Sequence, residues 1–205
     1  AASDVYKRQN IDLLNKVEEF TIISEMVEFS TMLSTTNRKK NKSLFTRIKT
    51  VDQKYPLYGE VTYEPAGAYE RMQNEPYTIL INESLSKTLN IKTNEIVKIQ
   101  DQEFLVIGKV RSVPDVSGFV TFGDWVLTGK QTLDILKLNG IGNFLNYEYK
   151  VKFNTNDNPE IIIKKIESIF KDDQKVKIRY PENAASGLKR VIGNFSQFLS
   201  LVSIS

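Results

Sequence analysis

Histidine and cysteine are both missing from the 205 residues. Their absence removes Ser-His-Asp triads, Cys or His nucleophiles, the usual zinc ligand sets and every disulfide. Few enzyme classes pass that filter. A cysteine-free chain suits the cytosol and also an oxidising periplasm in which no disulfide is used, so the redox compartment stays open. The two signs of charge nearly balance: the net formal charge is +3, spread thinly, which is too little for a nucleic-acid face with its stacking aromatics. Gly-x-Ser-x-Gly, phosphate-loop and EF-hand patterns do not occur. What is present is ordinary for a globular chain, 40% hydrophobic and 26% charged residues, over a length that can bury a core in one domain or two small ones.

The carboxylates and glycines that could carry chemistry lack companions. Glu18 with Glu19, and Glu25 with Glu28, have no companion that would divide acid from base roles, and solvated faces account for them. Gly140 and Gly142 imitate half of a phosphate loop but precede a strand pattern, so they mark a turn. The single tryptophan, Trp125, lies between Gly123 and Gly129 and is expected to pack. No metal, cofactor or catalytic group is expected.

One loop stands out. Val51 ends an extended run, and Pro56 and Gly59 then stop any regular element. Between and beside them, Tyr55, Leu57 and Tyr58 put large side chains on a turn where small polar residues are usual. The loop, Asp52, Tyr55, Pro56, Leu57, Tyr58 and Gly59, must therefore pack on its own domain or on a partner. Leu57 is assigned to the core and Tyr58 to a partner contact.

Along the chain, residues 10–19 have helical spacing, and 20–34 and 44–51 form a β-hairpin whose tip carries Arg38, Lys39, Lys40 and Lys42. That tip is expected to be solvated, with anionic headgroups as the alternative contact. Residues 60–63 read as a short strand and 64–76 as a connection punctuated by Pro65, Gly67 and Pro76. A strand at 77–81 leads to Asn82 as N-cap of a helix over 83–89 that stops at Asn90. Residues 95–100 and 103–113 make a hairpin around Asp101 and Gln102, with Ile96, Ile99, Phe104, Val106 and Val110 facing inward. Residues 147–153 alternate as a half-buried strand, Pro159 opens a helix over 160–170, and 175–179 is a strand. From Leu188 onward the apolar residues follow helical spacing and charge ends at Arg190, which predicts either a helix entering a membrane or an amphipathic terminal helix.

Taken in order, several segments resemble the first extracytoplasmic (MacB-like periplasmic core) domain of FtsX-like ABC-transporter permeases. They resemble most the large two-repeat type linked by annotation to lysophospholipase biosynthesis. The resemblance rests on Glu28-Phe29-Ser30-Thr31-Met32 followed by Val51-Asp52 and Pro56-Leu57-Tyr58-Gly59. It continues through residues 79–91, 95–109, Pro114-Asp115, Gly118-Phe119, Tyr147-Glu148-Tyr149-Lys150 and Ser196-Gln197-Phe198-Leu199, so that it spans residues 12–205. Where the pattern has a glycine-aspartate turn, this chain has Asn94-Glu95.

The resemblance implies an α+β fold: a mixed sheet with helices, the porter-like part, formed by residues 10–76 and 146–182, and an inserted small β-rich subdomain at 77–145. Residues 1–9 would be an artefactual or disordered tail, and 183–205 a helix leading into a transmembrane segment. The implied function is non-enzymatic coupling of cytoplasmic ATP hydrolysis to movement or export of a lipid-like, lipoprotein or hydrophobic substrate. The implied partners are a cytoplasmic ATP-binding subunit, a second permease half or repeat, and a periplasmic accessory enzyme. The implied location is the bacterial inner membrane, with this domain facing the periplasm. The competing class is a stand-alone periplasmic or cytosolic binding module.

Overall fold

A computed structural model of the chain describes residues 12, 14–15, 20–36, 42–114, 123–138, 145–153, 159–171, 176–179 and 198–204. The chain divides into two compact units, Met26–Leu138 and a second made of Ala1–Glu25 with Asn139–Ser205. The inserted β-rich body is therefore larger than the expected 77–145 and includes the first hairpin. Long-range strand pairing is the reason.

The hairpin of β1 (Phe20–Thr35) and β2 (Ser43–Val51) forms as expected, with Phe29 opposite Ile48 and Leu33 opposite Leu44. After it come β3 (Thr62–Glu64), α1 (Ala68–Asn74), β4 (Thr78–Asn82), α2 (Glu83–Leu89), β5 (Ile96–Ile99), β6 (Gln102–Ser112), β7 (Trp125–Gly129) and α3 (Thr132–Ile135). β2 pairs in parallel with β7, β7 antiparallel with β4, β4 in parallel with β6, β6 antiparallel with β5, and β5 antiparallel with β1. Because β1 also pairs with β2, the six strands close into a ring, a barrel without a free edge. β3 lies off the ring, paired with β6.

The registers trace each face of the ring from strand to strand. Phe29, Ile48, Val126 and Ile81 are successive neighbours, as are Ile79 with Val106, Phe104 with Val97, and Ile99 with Leu33. All are buried, and they fill the inside. The opposite face carries Met26, Val51, Leu80, Ile107, Trp125 and Leu127, which form a second core with Ala68, Tyr69 and Met72 of α1. At about 1.5–3 kcal/mol for each fully buried large apolar side chain, both faces of these strands contribute to stability. Of the residues expected to face inward, Ile99, Phe104 and Val106 do so. Val110 belongs to the outer core, and Ile96 is 45% exposed.

Local signals placed α2 correctly: the Asn82 Oδ1 accepts from the Leu85 N–H at 3.1 Å, and Asn90 closes the helix in the left-handed region at φ 54°. The β5–β6 hairpin also follows the expected pattern. α1 occupies the stretch expected to be a connection. Its start is Gly67 at φ 79° with no side-chain cap, so the usual polar N-terminal signal is missing from the sequence.

The other unit contains β8 (Asn146–Phe153), α4 (Pro159–Phe170), β9 (Val176–Arg179) and β10 (Phe198–Ile204). The sheet runs β1-β8-β10-β9, with β10 antiparallel to both β8 and β9. β10 corrects the expectation of a helix over 183–205 in its last residues: Phe198–Ile204 is rich in large and β-branched side chains and is paired on both sides as a strand. Residues 180–197 lie outside those described. α4 keeps the expected stripe, with Ile162, Ile166 and Phe170 buried four residues apart, while Ile161 is exposed. Together the two units make the α+β fold with a mixed sheet read from the sequence.

Candidate functional site

The Asp52–Gly59 loop begins where β2 ends, its last carbonyl, that of Val51, accepting from the Lys130 N–H at 2.9 Å. The Asp52 carboxylate accepts the Lys54 N–H at 3.1 Å, and the Asp52 carbonyl accepts the Tyr55 N–H at 3.3 Å. This aspartate turn reverses the chain and sends Tyr55 inward. Tyr55 is 2% exposed within the outer core, and the Lys49 ammonium lies 5.3 Å from its ring centroid.

α1 holds the loop from the other side. The Tyr69 hydroxyl donates to the Tyr55 carbonyl at 2.6 Å. The Gln73 Nε2 donates to the carbonyls of Asp52 and Tyr55 at 3.1 and 3.2 Å, and to the Tyr69 hydroxyl at 2.9 Å. A connecting segment buried among apolar side chains needs partners for its carbonyls, and one glutamine and one tyrosine supply them. Gly59 sits at φ 72°, and a methyl group there would strike the Pro114 ring.

The loop thus divides its aromatic residues. Tyr55 is the core filler, whereas Pro56, Leu57 and Tyr58 are each partly exposed; Leu57, expected in the core, is therefore only half-buried, because the aspartate turn sends Tyr55 inward instead. Burial raises the Tyr58 hydroxyl above its ordinary pKa. On the exposed side, Asp52, Gln53 and Lys54 line an open depression of about 400 Å³, completed by Gln73, Lys130 and Gln131. Sequence reasoning missed Lys49, Tyr69 and Gln73. The available signal was Tyr69 with Met72 at three residues and Gln73 at four, one face of a single helical turn.

Among the described residues no group of three or more carboxylates is placed to hold a metal ion. Trp125 packs in the outer core, as expected of it. Glu25 is buried rather than solvated, and residues 139–144, with their two glycines, lie outside those described. Among the described residues no helix is long and apolar enough to cross a membrane.

No family model matches the chain. Over 111 residues, 54% of this chain, it is 27% identical to the uncharacterized ABC transporter permease YbbP of Escherichia coli K12, and it spans 13% of that protein's length. Its structure is similar to the periplasmic region of MacB from Actinobacillus actinomycetemcomitans, with a TM-score of 0.53 at 15% identity, over 78% of this chain and 71% of that one. This chain has the fold of the MacB periplasmic region. The extracellular domain of the noncanonic ABC-type transporter YknZ from Gram-positive bacteria is similar to the same degree, with a TM-score of 0.53 at 10% identity, over 80% of this chain and 82% of that one. The likeness to FtsX-like permeases found in the sequence is met here by a permease relative and by the folds of the MacB periplasmic region and the YknZ extracellular domain.

Proposed function

We propose that the chain is a non-catalytic extracytoplasmic domain of an ABC transporter permease, held at the bacterial inner membrane and facing the periplasm. The observation that carries this reading is the agreement of two independent likenesses: sequence similarity to a permease over half the chain, and a shared fold with the periplasmic region of MacB over most of it. In this reading a cytoplasmic subunit hydrolyses ATP and its strokes reach the domain through membrane helices. The closed ring then acts as a stiff body that moves as a unit against a second permease half or an accessory periplasmic enzyme. The substrate is lipid-like, a lipoprotein or another hydrophobic compound. The absence of His and Cys supports a mechanical role.

The Asp52–Gly59 loop has a part to play: Tyr55 anchors it, and the partly exposed Leu57 and Tyr58 face a partner. Tyr58→Ala should leave the fold in place and impair transport or assembly of the full complex. Unfolding of that variant with transport intact would overturn the assignment.

The 205 residues carry no cysteine, so a probe introduced here reports the domain's side of the membrane when its labelling is read against the unsubstituted full-length protein. Lys87→Cys, with a side chain 75% exposed, should react with a membrane-impermeant maleimide in intact spheroplasts expressing the full-length gene product. Labelling only after lysis would sink the proposal.

A further inference from the structure

The outer face of the β1–β2 hairpin has two halves. Towards Val51 it is covered by the protein's own loop and α1, which bury Met26, Lys49 and Val51. Towards the turn it is bare. There Met32 and Phe45 are directly opposite across the two strands, 47% and 67% exposed, so their side chains stand out on one face as an apolar pair.

Cations flank that pair. Arg47 follows Phe45 on the same face of β2, whereas Lys42, just before the strand, donates its ammonium to the Thr88 carbonyl at 3.4 Å. Lys98 lies on β5 opposite Ser34, the next outward position of β1 after Met32, and shares its charge with Glu103 at 3.7 Å.

We infer that this bare half, centred on Phe45 and Met32, docks on an anionic phospholipid bilayer. Protruding apolar side chains on a strand pair offer no cleft for a partner's anchor residue, but they can enter a soft interface. The flanking ammonium and guanidinium groups then meet phosphates. A second copy of this chain would bring the same positive rim against itself, and like charges across an interface oppose association. The inference stands on the hairpin's own chemistry and goes beyond the permease reading, so either can fail without the other.

The test is flotation of the 205-residue protein with phosphatidylcholine vesicles, with or without phosphatidylglycerol. The protein should float with the anionic vesicles alone, and added salt should weaken the association. Phe45→Ser should reduce partition about tenfold with the circular dichroism spectrum unchanged. Arg47→Gln combined with Lys98→Gln should do the same with Phe45 present. Equal flotation with neutral vesicles, no flotation with either, or folded Phe45→Ser protein that floats as before would each overturn the inference. So would capture by soluble polyglutamate without capture by anionic vesicles, which would assign the face to an acidic protein.

Discussion

The ring of Met26–Leu138 and the sheet of the other unit solve burial differently. In the ring every strand has two neighbours, both faces of several strands are covered, and most buried polar groups are short, neutral and bonded nearby. Thr50 donates to the Val27 carbonyl, Thr128 and Thr132 share a hydrogen bond of 2.7 Å, and Asn82 caps α2. The sheet β8-β10-β9 is open at β9, and its unit buries the charged side chains Glu25 and Lys150 beside Tyr147 and Tyr149, whose rings stack 6.5 Å apart. A closed ring can be stable on apolar packing and local hydrogen bonds. Charge buried in an open sheet makes stability depend on pH.

The largest effect should come from the ring's outer core. Tyr55→Ala should cost about 3–5 kcal/mol in urea unfolding, while Tyr58→Ala costs about 1 kcal/mol or less. Equal losses would mean that the loop is not divided as described. A fragment of residues 26–138 should still unfold in one cooperative transition, since the ring closes within it. A broad, non-cooperative melt would erase the contrast between the two units.

Gln73→Ala should cost about 1–3 kcal/mol, because it removes a side-chain donor from each of the Tyr55 and Asp52 carbonyls. A Gln73→Glu variant places an acceptor against those carbonyls and should do no better. Full stability of either would show that α1 holds the loop by packing alone.

The charged interior sharpens the comparison through pH. Burial above all, then the charges of Glu25 and Tyr147, raises the Tyr149 hydroxyl above its ordinary value of 10.0. A raised pKa in the folded state means that the unfolded chain gives up this proton first. The contribution is therefore whole below pH 10 and is lost as pH rises above it. Unfolding followed from pH 8 to 11 should show this loss, and Tyr149→Phe should flatten it. The isolated 26–138 fragment should lack the Tyr149 contribution.

The smallest effect belongs to the ring's bare face. Phe45→Ser should change stability by no more than about 0.5 kcal/mol, because the side chain is already in water. A larger loss would mean that the face is covered in solution.

Local chemistry determined a good part of this protein from sequence alone. Period-two alternation made β8, a four-residue apolar stripe made α4, and asparagines at both ends delimited α2. Each depends on neighbours within a few residues, and so does the exclusion of His and Cys chemistry. The odd loop was visible for the same reason, as aromatic side chains on a turn. Tertiary structure decided the rest. The parallel pairings β2–β7 and β4–β6 join segments distant in sequence, and no local period records which strand will be the neighbour, so the boundary at Met26 was not legible. α1 has seven residues and begins without a polar cap, so packing on Leu80 and Leu127 rather than intrinsic propensity holds it. Which tyrosine of the loop turns inward was settled by the carbonyls that Tyr69 and Gln73 could reach, and those two residues meet the loop only once the ring has closed.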